Sequence, residues 1–295
     1  MSGWSTSDIP DQSGRTFIVT GANSGLGAET TRALVGAGAE VIMACRDTAK
    51  AEAAARDIGG GARAARLDLA DLASVRAFAD GISRADVLIN NAGVMAVPLR
   101  RTADGFEMQM GTNHLGHFAL TGLLLPKIGD RVVTLSSGLH QLGRIDLGDL
   151  DWRTRRYKRW QAYGDSKMAD LMFGMDLADR FDAANDGRLS LIAHPGYAAT
   201  GLQGRTESLM DAVMKVGNLF AQSAAGGALP TLYAATAPDV VNGTFYGPTQ
   251  WFGMRGAPGV SAFSGRANDR ALRDGLWAAS ERLTGVSFDG PIPGA

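Results

Sequence analysis

A short apolar run, Thr16-Phe17-Ile18-Val19, leads directly into a glycine-rich turn and then into a helical pattern. The β-branched and aromatic residues of the run predict a buried strand. The turn spans residues 20–27 and reads Thr-Gly-Ala-Asn-Ser-Gly-Leu-Gly, and residues 28–37 carry apolar side chains at helical spacing. The start of such a helix offers unpaired N–H groups and a partial positive charge, and glycines let a phosphate approach the backbone. The unit predicts a phosphate site, although glycine spacing alone also fits an ordinary strand-to-helix turn.

Length and composition narrow the class of protein. The chain has 295 residues, of which 45% are hydrophobic and 20% charged, with a net charge of −1. This is typical of a soluble globular protein and gives no reason to expect a nucleic acid partner. Cys45 is the only cysteine, which excludes an internal disulfide and a cysteine metal cluster. No stretch approaches the ~18–20 apolar residues of a membrane helix, and the start does not read as a signal peptide. We therefore expect a cytoplasmic protein with no integral membrane segment. Residues 1–13 are expected to form a flexible N-terminal tail.

Strand and helix patterns alternate along the rest of the chain. Further strands are predicted at residues 40–44, 63–67, 87–89, 131–135, 190–192 and 243–246. Longer helical patterns cover residues 106–125, 163–181 and 270–283. This alternation predicts an α/β fold, a doubly wound parallel seven-stranded sheet of the Rossmann type in a single domain. Ligands of such folds bind at the carboxyl ends of the strands.

The end of the second predicted strand bears on the choice of cofactor. A carboxylate there binds the ribose 2′-hydroxyl of NAD, whereas an arginine can pair with the 2′-phosphate of NADP. This chain has Cys45 followed by Arg46. We therefore expect NADP(H) rather than NAD(H), with a solvated surface arginine as the alternative. Asp47 is better explained as the N-cap of the next helix.

Two further groups of polar residues follow strand ends. Ser136 and Ser137 end the fifth predicted strand, and Tyr163 and Lys167 lie four residues apart on one helix face. An ammonium beside a tyrosine hydroxyl favours the phenolate, so such a tyrosine can act as an acid or a base. Each motif is weak alone, since two serines also suit a plain turn. Their order after the glycine-rich turn makes them specific.

Together these motifs resemble the short-chain dehydrogenase/reductase family. Thr20 with its Gly-x-x-x-Gly-x-Gly turn, the tetrapeptide Asn90-Asn91-Ala92-Gly93, the serine pair and the Tyr-x-x-x-Lys motif occur in the family's order. His140, the long segment before Tyr163 and the phrase around Asn113 are similar to the retinol dehydrogenase-like branch and to protochlorophyllide reductases. The resemblance runs from about residue 14 to residue 200. It implies reversible hydride transfer between NADP(H) and a carbonyl/alcohol pair, with strand order 3-2-1-4-5-6-7.

The resemblance also assigns roles to individual residues. Ser137, chosen over Ser136, holds the substrate oxygen, Tyr163 transfers its proton, and Lys167 tunes the tyrosine and binds the ribose. Asn113 supports a water relay, and Asp68 contacts the adenine. From the residues alone Asp68 could equally cap the following helix, although Asp71 is the better placed N-cap. The residues expected to bind the cofactor are Gly21, Asn23, Ser24, Gly25, Leu26, Gly27, Arg46, Asp68, Leu69, Asn90, Ala92, Gly93, Tyr163, Lys167, Pro195, Gly196, Ala198 and Thr200.

Several features stand outside this pattern. Residues 153–159, in the long segment, are mostly basic; they form a solvated face or attract an anionic group or a lipid surface. Asp170 stands where the branch usually has Asn, and we expect it to lie off the reacting face. No metal site is expected, because His114 and His117 lack further ligands, and packing rather than catalysis is expected of His194.

The last third of the chain is less specific. In the family, residues 200–222 form a substrate lid. Residues 247–265 are rich in glycine and proline, which predicts a loop that could shape the mouth of the substrate site. Their apolar side chains favour a small lipophilic carbonyl substrate. Apolar residues along the Tyr163 helix and before Leu125 suggest a homodimer, unless the long segment covers them. A non-catalytic NADP(H)-binding regulator of the same fold is the alternative function.

Overall fold

One twisted sheet of eight strands organises the residues that the computed structural model describes, which are 3–196 and 223–288. The strands are β1 (Thr16–Thr20), β2 (Glu40–Cys45), β3 (Ala62–Arg66), β4 (Ala85–Asn90), β5 (Ile128–Leu135), β6 (Leu189–Ala193), β7 (Phe245–Gln250) and β8 (Arg255–Val260). Their order is β3-β2-β1-β4-β5-β6-β7-β8. The first seven run parallel, which confirms the predicted fold class and strand order, and β8 adds an antiparallel edge.

Seven α-helices connect and cover the strands in the described residues. They are α1 (Gly25–Gly36), α2 (Thr48–Ile58), α3 (Leu72–Asp80), α4 (Gly116–Leu124), α5 (Arg159–Ala184), α6 (Ala224–Thr236) and α7 (Arg270–Thr284). Asp47 caps α2 by accepting a hydrogen bond from the Lys50 N–H, and Asp71 caps α3 in the same way, as the sequence predicts.

The sheet is buried on both faces because alternate residues of each strand point to opposite sides. Ile18 of β1 packs with the cluster under α3, α4, α5 and α7, whereas Phe17 and Val19 pack with the cluster under α1, α2 and α6. This two-sided covering is the doubly wound arrangement.

The helix face that we expected between two copies lies inside this chain. Met168, Leu171, Met172 and Leu177 of α5 are all at most 1% exposed. Helix α7 packs on α5 and α4 and places the Trp277 ring 5.1 Å from that of Phe118. This face of α5 is therefore not free to join two copies. It is covered by α7 rather than by the long segment before Tyr163.

Residues 247–265 are not the irregular loop that we expected. Most of them belong to a hairpin of β7 and β8, in which Pro248 lies opposite Pro258. Glycine and proline masked the strand pattern. Pro258 lies on the edge strand β8, and Pro248 lies beyond the part of β7 that pairs with β6, which ends at Tyr246, so neither proline interrupts the inner ladder.

Two other expectations need correction. Residues 3–13 are not a loose tail, since the Trp4 ring packs edge-on against Tyr233 and the Gln12 N–H donates to the Ala37 carbonyl. The helix predicted over residues 106–125 is regular only from Gly116. Residues Met110–Leu115 before it form a π-helical turn, which is common at functional sites.

Candidate active site

The glycine-rich turn after β1 has the geometry of a phosphate cradle. Gly21 has a φ of +66°, which favours glycine. A methyl group on Gly27 would lie 2.5 Å from the Gly21 carbonyl oxygen, so the turn closes only without a side chain there. The Ser24 side chain makes no cap hydrogen bond to α1. The first N–H groups of α1, at Gly25 to Gly27, therefore remain for an anion, and the turn fits a dinucleotide pyrophosphate.

Thr20 locks this turn to the one that follows β4. Its Oγ1 accepts hydrogen bonds from the N–H groups of Asn91 and Ala92, both at 2.9 Å, and the Asn91 amide donates to the Thr20 carbonyl. The same Oγ1 lies 2.9 Å from His117 Nε2. The sequence showed Thr20 and Asn91 only as members of two motifs. The contacts show that these residues hold the turn after β1 and the turn after β4 together.

The end of β2 presents an exposed arginine. Arg46 is exposed, whereas Cys45 is buried against the backbone of Ala22 and Asn23 in the glycine-rich turn. Burial raises the pKa of the Cys45 thiol, so this thiol stays protonated. The strand end where we expect the adenosine ribose therefore carries an exposed arginine and no carboxylate at position 45.

Asp68 follows β3 and is partly used by its own turn. One oxygen accepts the Ala70 N–H at 3.0 Å, while its backbone N–H donates to Ser74. Leu69 is buried. The other carboxylate oxygen of Asp68 takes no part in these two contacts and suits an adenine amino group.

The end of β4 combines a buried side chain with an open backbone. The Asn90 amide donates to Thr121 and Thr134, so its side chain ties β4 to α4 and β5 rather than facing a cofactor. Any cofactor contact at Asn90 must come from its backbone. A methyl group on Gly93 would lie 3.8 Å from the Lys167 ammonium nitrogen, so glycine keeps the space before Lys167 open.

Tyr163 and Lys167 lie on successive turns of α5. Both are buried, with 6% and 5% exposed. The Lys167 ammonium donates to the Leu135 carbonyl and to Asp170 Oδ2, each at 2.8 Å. Burial opposes its charge, but Asp170 and Tyr163 outweigh burial and raise its pKa. An ammonium has three donors, so one remains for a ribose hydroxyl.

The two serines after β5 have different partners. The Ser136 hydroxyl is buried and donates to the Lys167 carbonyl at 2.7 Å. The Ser137 hydroxyl is half-buried and accepts the Leu139 N–H at 3.2 Å. His140 Nδ1 lies 2.6 Å from the Ser137 carbonyl, and His140 Nε2 accepts the Ser264 N–H. His140 thus positions Ser137, a role that the sequence did not reveal.

Asn113 lies in the π-helical turn and ties three segments together. Its side chain accepts the Val94 N–H and donates to the Val94 carbonyl and to Ser166 Oγ. Its backbone carbonyl lies 2.7 Å from His117 Nδ1. A carbonyl oxygen has two lone pairs, so one remains for the water that the resemblance assigns to it.

The expectation for Asp170 is wrong. Its Oδ2 accepts a hydrogen bond from the Lys167 ammonium at 2.8 Å, and the side chain is only 1% exposed. Spacing could have revealed this contact, because residues three apart on a helix are neighbours. Asp170 follows Lys167 by that interval.

The histidines near the site are neutral structural groups. Burial lowers the pKa of His114 and His117 to about 3. Burial lowers that of His194 to about 4, and its Nδ1 accepts the Gly196 N–H. His194 therefore supports the Pro195-Gly196 loop, in keeping with the packing role that we expected. Within residues 3–196 and 223–288 no cluster of ligands suits a metal ion.

Some predicted positions cannot be placed. Ala198, Thr200 and the lid proposed over residues 200–222 lie outside the described residues.

The basic segment before α5 is largely engaged within the chain. Asp149 accepts the N–H groups of Arg153, Thr154 and Arg155, and the Arg155 guanidinium also pairs with Asp165 at 3.2 Å. The same guanidinium lies over the Trp152 ring, 3.7 Å from its centre. Arg156 and Lys158 are exposed. The segment is therefore a folded insertion and only in part a solvated face.

Comparisons with known proteins agree with this geometry. Residues 15–149 match the family described as short chain dehydrogenase. Retinol dehydrogenase 13 of Homo sapiens is 41% identical over 294 residues, covering 92% of this chain and 85% of that protein. Retinol dehydrogenase 12 of Mus musculus is 36% identical over 291 residues, covering 94% of this chain and 88% of that protein.

A solved structure of an uncharacterized protein from Mycobacterium paratuberculosis is also similar. It is 51% identical, has a TM-score of 0.86, and the match covers 97% of this chain and 99% of that one. A crystal structure described as an NAD(P)-dependent gluconate 5-dehydrogenase from Beutenbergia cavernae, with NADP bound at low occupancy, is 26% identical, with a TM-score of 0.61 and coverage of 80% of this chain and 96% of that one.

None of the helices in the described part of the chain has the length and apolar character needed to cross a membrane.

The sheet order, the motifs at its carboxyl edge and the relatives at 36–41% identity all indicate the same family. The chain is an oxidoreductase of the short-chain dehydrogenase family and belongs to its retinol dehydrogenase-like branch.

Proposed function

We propose that this protein interconverts a lipophilic alcohol and its carbonyl form with NADP(H), using Tyr163 as the general acid and base. The observation that carries this proposal is the buried Lys167 ammonium on the same face of α5 as Tyr163, with one donor left for a ligand. A cation in that position favours the phenolate and makes proton transfer by Tyr163 feasible.

Each site residue has a distinct task in this reaction. NADP(H), when bound, donates or accepts the hydride. The Ser137 hydroxyl donates a hydrogen bond to the carbonyl oxygen and orients it, and Tyr163 gives that oxygen its proton during reduction. In oxidation Tyr163 takes the proton from the alcohol. The third donor of Lys167 holds a ribose hydroxyl, and Asn113 orders the turn in front of it.

The binding of NADP(H) is supported by the two turns at the sheet edge. The N–H groups at the start of α1 suit the pyrophosphate, and the exposed Arg46 suits a 2′-phosphate. The solved structure from Beutenbergia cavernae contains NADP. The relatives named retinol dehydrogenase suggest a lipophilic substrate, and that class extends to this chain by proposal only.

The test is the steady oxidation of NADPH with a panel of aliphatic and aromatic aldehydes and ketones. We expect Tyr163→Phe to lower turnover by about 10²–10⁴-fold, the usual contribution of general acid catalysis. Its affinity for NADPH should barely change. Lys167→Ala should lower both, because the ammonium serves the ribose and the tyrosine.

Two results would contradict the proposal. Full activity of Tyr163→Phe would show that another group moves the proton. NADPH binding without turnover of any carbonyl compound would favour the alternative, a regulatory protein that binds the cofactor.

A further inference from the structure

Asp170 is a buried carboxyl group in direct contact with the lysine of the site. It lies on α5 one turn after Lys167, and its Oδ2 accepts from the Lys167 ammonium at 2.8 Å. The side chains are 1% and 7% exposed, so water screens the pair poorly. Solvent therefore screens little of the attraction between this carboxylate and the ammonium beside Tyr163.

The second oxygen of Asp170 faces a histidine. His114 Nδ1 lies 3.8 Å from Asp170 Oδ1, and neither atom has a hydrogen-bond partner among the described residues. His114 Nε2 lies 2.8 Å from Ser280 Oγ, which itself donates to the Leu276 carbonyl. Ser280 must therefore accept from His114, which places the imidazole proton on Nε2 and leaves a lone pair on Nδ1.

These two unpaired acceptors can be satisfied together by one proton. Closing the 3.8 Å gap by about 1 Å would let protonated Asp170 donate through Oδ1 to His114 Nδ1 while it still accepts from Lys167 through Oδ2. The cluster is thus built to hold Asp170 both with and without a proton, which distinguishes it from an ordinary buried ion pair.

We infer that Asp170 is a positioning residue for the proposed reaction of Tyr163, which holds the Lys167 ammonium in place and partly neutralises it. In doing so it sets the pH at which Tyr163 loses its proton. An uncharged residue at this position would leave the full charge of Lys167 to act on the tyrosine.

The charges around Asp170 give the direction of the effect. Lys167 contacts Asp170 from α5, and Tyr163 lies one turn before that lysine. His114 faces Asp170 from the π-helical turn, His117 of α4 lies beside His114, and the neutral Ser280 of α7 contacts His114. Burial raises the pKa of Asp170 to about 6 despite the attraction of Lys167, and burial keeps both histidines neutral. Above pH 6 Asp170 is therefore a carboxylate that offsets Lys167. Below that pH it is protonated, and the ammonium acts on Tyr163 undiminished.

The experiment measures the ionisation of Tyr163 directly, in the cofactor-free protein. The ultraviolet absorbance of phenolate is measured against pH for each protein. The curve of the same protein carrying Tyr163→Phe is subtracted, which removes the absorbance of the other four of the five tyrosines. We expect Asp170→Asn to lower the midpoint of Tyr163 ionisation by about one pH unit, because a like charge is removed. Asp170→Ser, a smaller uncharged residue, should shift the midpoint in the same direction.

Asp176→Asn is the matched control. Asp176 is also a buried carboxyl group on α5, but it pairs with Arg273 of α7 at 2.7 Å. Its substitution should leave the midpoint unchanged. With a carbonyl substrate in hand, the alkaline limb of the reduction rate for Asp170→Asn should move to lower pH by the same amount.

Several outcomes would overturn the inference. These are an unchanged or raised midpoint in a folded Asp170 variant, an equal shift in Asp176→Asn, or loss of folding in both Asp170 variants while Asp176→Asn folds. None of these outcomes requires a measurement of turnover. The inference about Asp170 can therefore fail even where the loss of turnover in Tyr163→Phe supports the proposed function. It can also hold when no carbonyl substrate is found.

Discussion

Ser136 and Ser137 carry the same hydroxyl group, and their contacts separate them. Ser136 already donates to the Lys167 carbonyl, whereas Ser137 only accepts the Leu139 N–H and keeps its proton for a ligand. We expect Ser137→Ala to lower turnover by roughly 10²–10³-fold, the usual cost of one donor to the reacting oxygen. Ser136→Ala should cost about 1 kcal/mol of stability and little turnover. Kinetics and thermal melting of both variants check this, and the reverse pattern would move the assignment to Ser136.

Arg46 tests the choice of cofactor. Its guanidinium is exposed at the end of β2. A charge-assisted contact with a phosphate contributes about 1.5–3 kcal/mol, which is one to two orders of magnitude in affinity. We expect NADPH to bind more tightly than NADH by about this factor, and Arg46→Ala to remove most of the difference. Titration of both cofactors checks it; equal affinities in the unmodified protein would refute it. Arg63→Ala, on β3, is a control of equal charge.

Residue roles were predictable where a local motif carries them. The Tyr163–Lys167 pair follows from helix spacing combined with the order of the other motifs, and the N-caps Asp47 and Asp71 follow from their place just before helical patterns. The locking role of Thr20 does not, because its partners Asn91 and Ala92 lie far along the chain. The contact between Asp170 and Lys167 could have been predicted from helix spacing. We instead interpreted Asp170 only as a departure from the family's usual Asn.

At the scale of single elements, the carboxylate of Asp149 orders the backbone of residues 153–155 in the insertion before α5. Burial raises the pKa of Asp149, but hydrogen bonds from Arg153, Arg155 and Thr154 outweigh burial and lower it to about 2. The sequence showed the basic residues of this segment but not the acceptor that orders them, since charge runs usually mark a solvated face.

Asp149→Asn should therefore destabilise the protein in a pH-dependent way. We expect a loss of roughly 1–3 kcal/mol at neutral pH, the worth of hydrogen bonds to a charged acceptor. The contribution of the carboxylate is present above its ordinary pKa of 3.8 and is lost as the pH falls through about 2. The gap between the two proteins in denaturant unfolding should accordingly close on acidification. Asp146→Asn, at an exposed position, should stay within about 0.5 kcal/mol. A gap that is constant with pH would contradict this account.

Two elements differ from their sequence patterns for a tertiary reason. The β7–β8 hairpin contains glycine and proline where strands usually carry β-branched residues. They are tolerated because β8 is the edge strand and β7 pairs with β6 only as far as Tyr246. The π-helical turn at Met110–Leu115 surrounds Asn113, whose side chain is fastened to Val94 and Ser166. Long-range contacts fix both, so local periodicity could not reveal them.

At the scale of the whole molecule, α7 completes the core on one side of the sheet. Its Trp277 ring lies 5.8 Å from Phe173 and 4.7 Å from Phe288, with the Arg180 guanidinium 3.8 Å above it. Arg273 of the same helix pairs with Asp176 and Asp179 of α5. The apolar stripe of α5 could be predicted from the sequence, but not that α7 would cover it, because helical periodicity shows which face is apolar and not what packs on it.

This cover leads us to expect a monomer. The face of α4 and α5 that would join two copies is already buried within the chain, and opening it would remove Trp277 from its pocket. Truncating a buried aromatic residue of this size typically costs about 3–5 kcal/mol, so exchanging α7 for a second copy is unfavourable. Light scattering at micromolar concentration should give a mass near 30.9 kDa. Trp277→Ala, which loosens α7, should unfold at lower denaturant and associate more readily, whereas Trp251→Ala on the exposed hairpin should do neither. A mass near twice that of the chain, unchanged by Trp277→Ala, would mean that the copies meet through another surface.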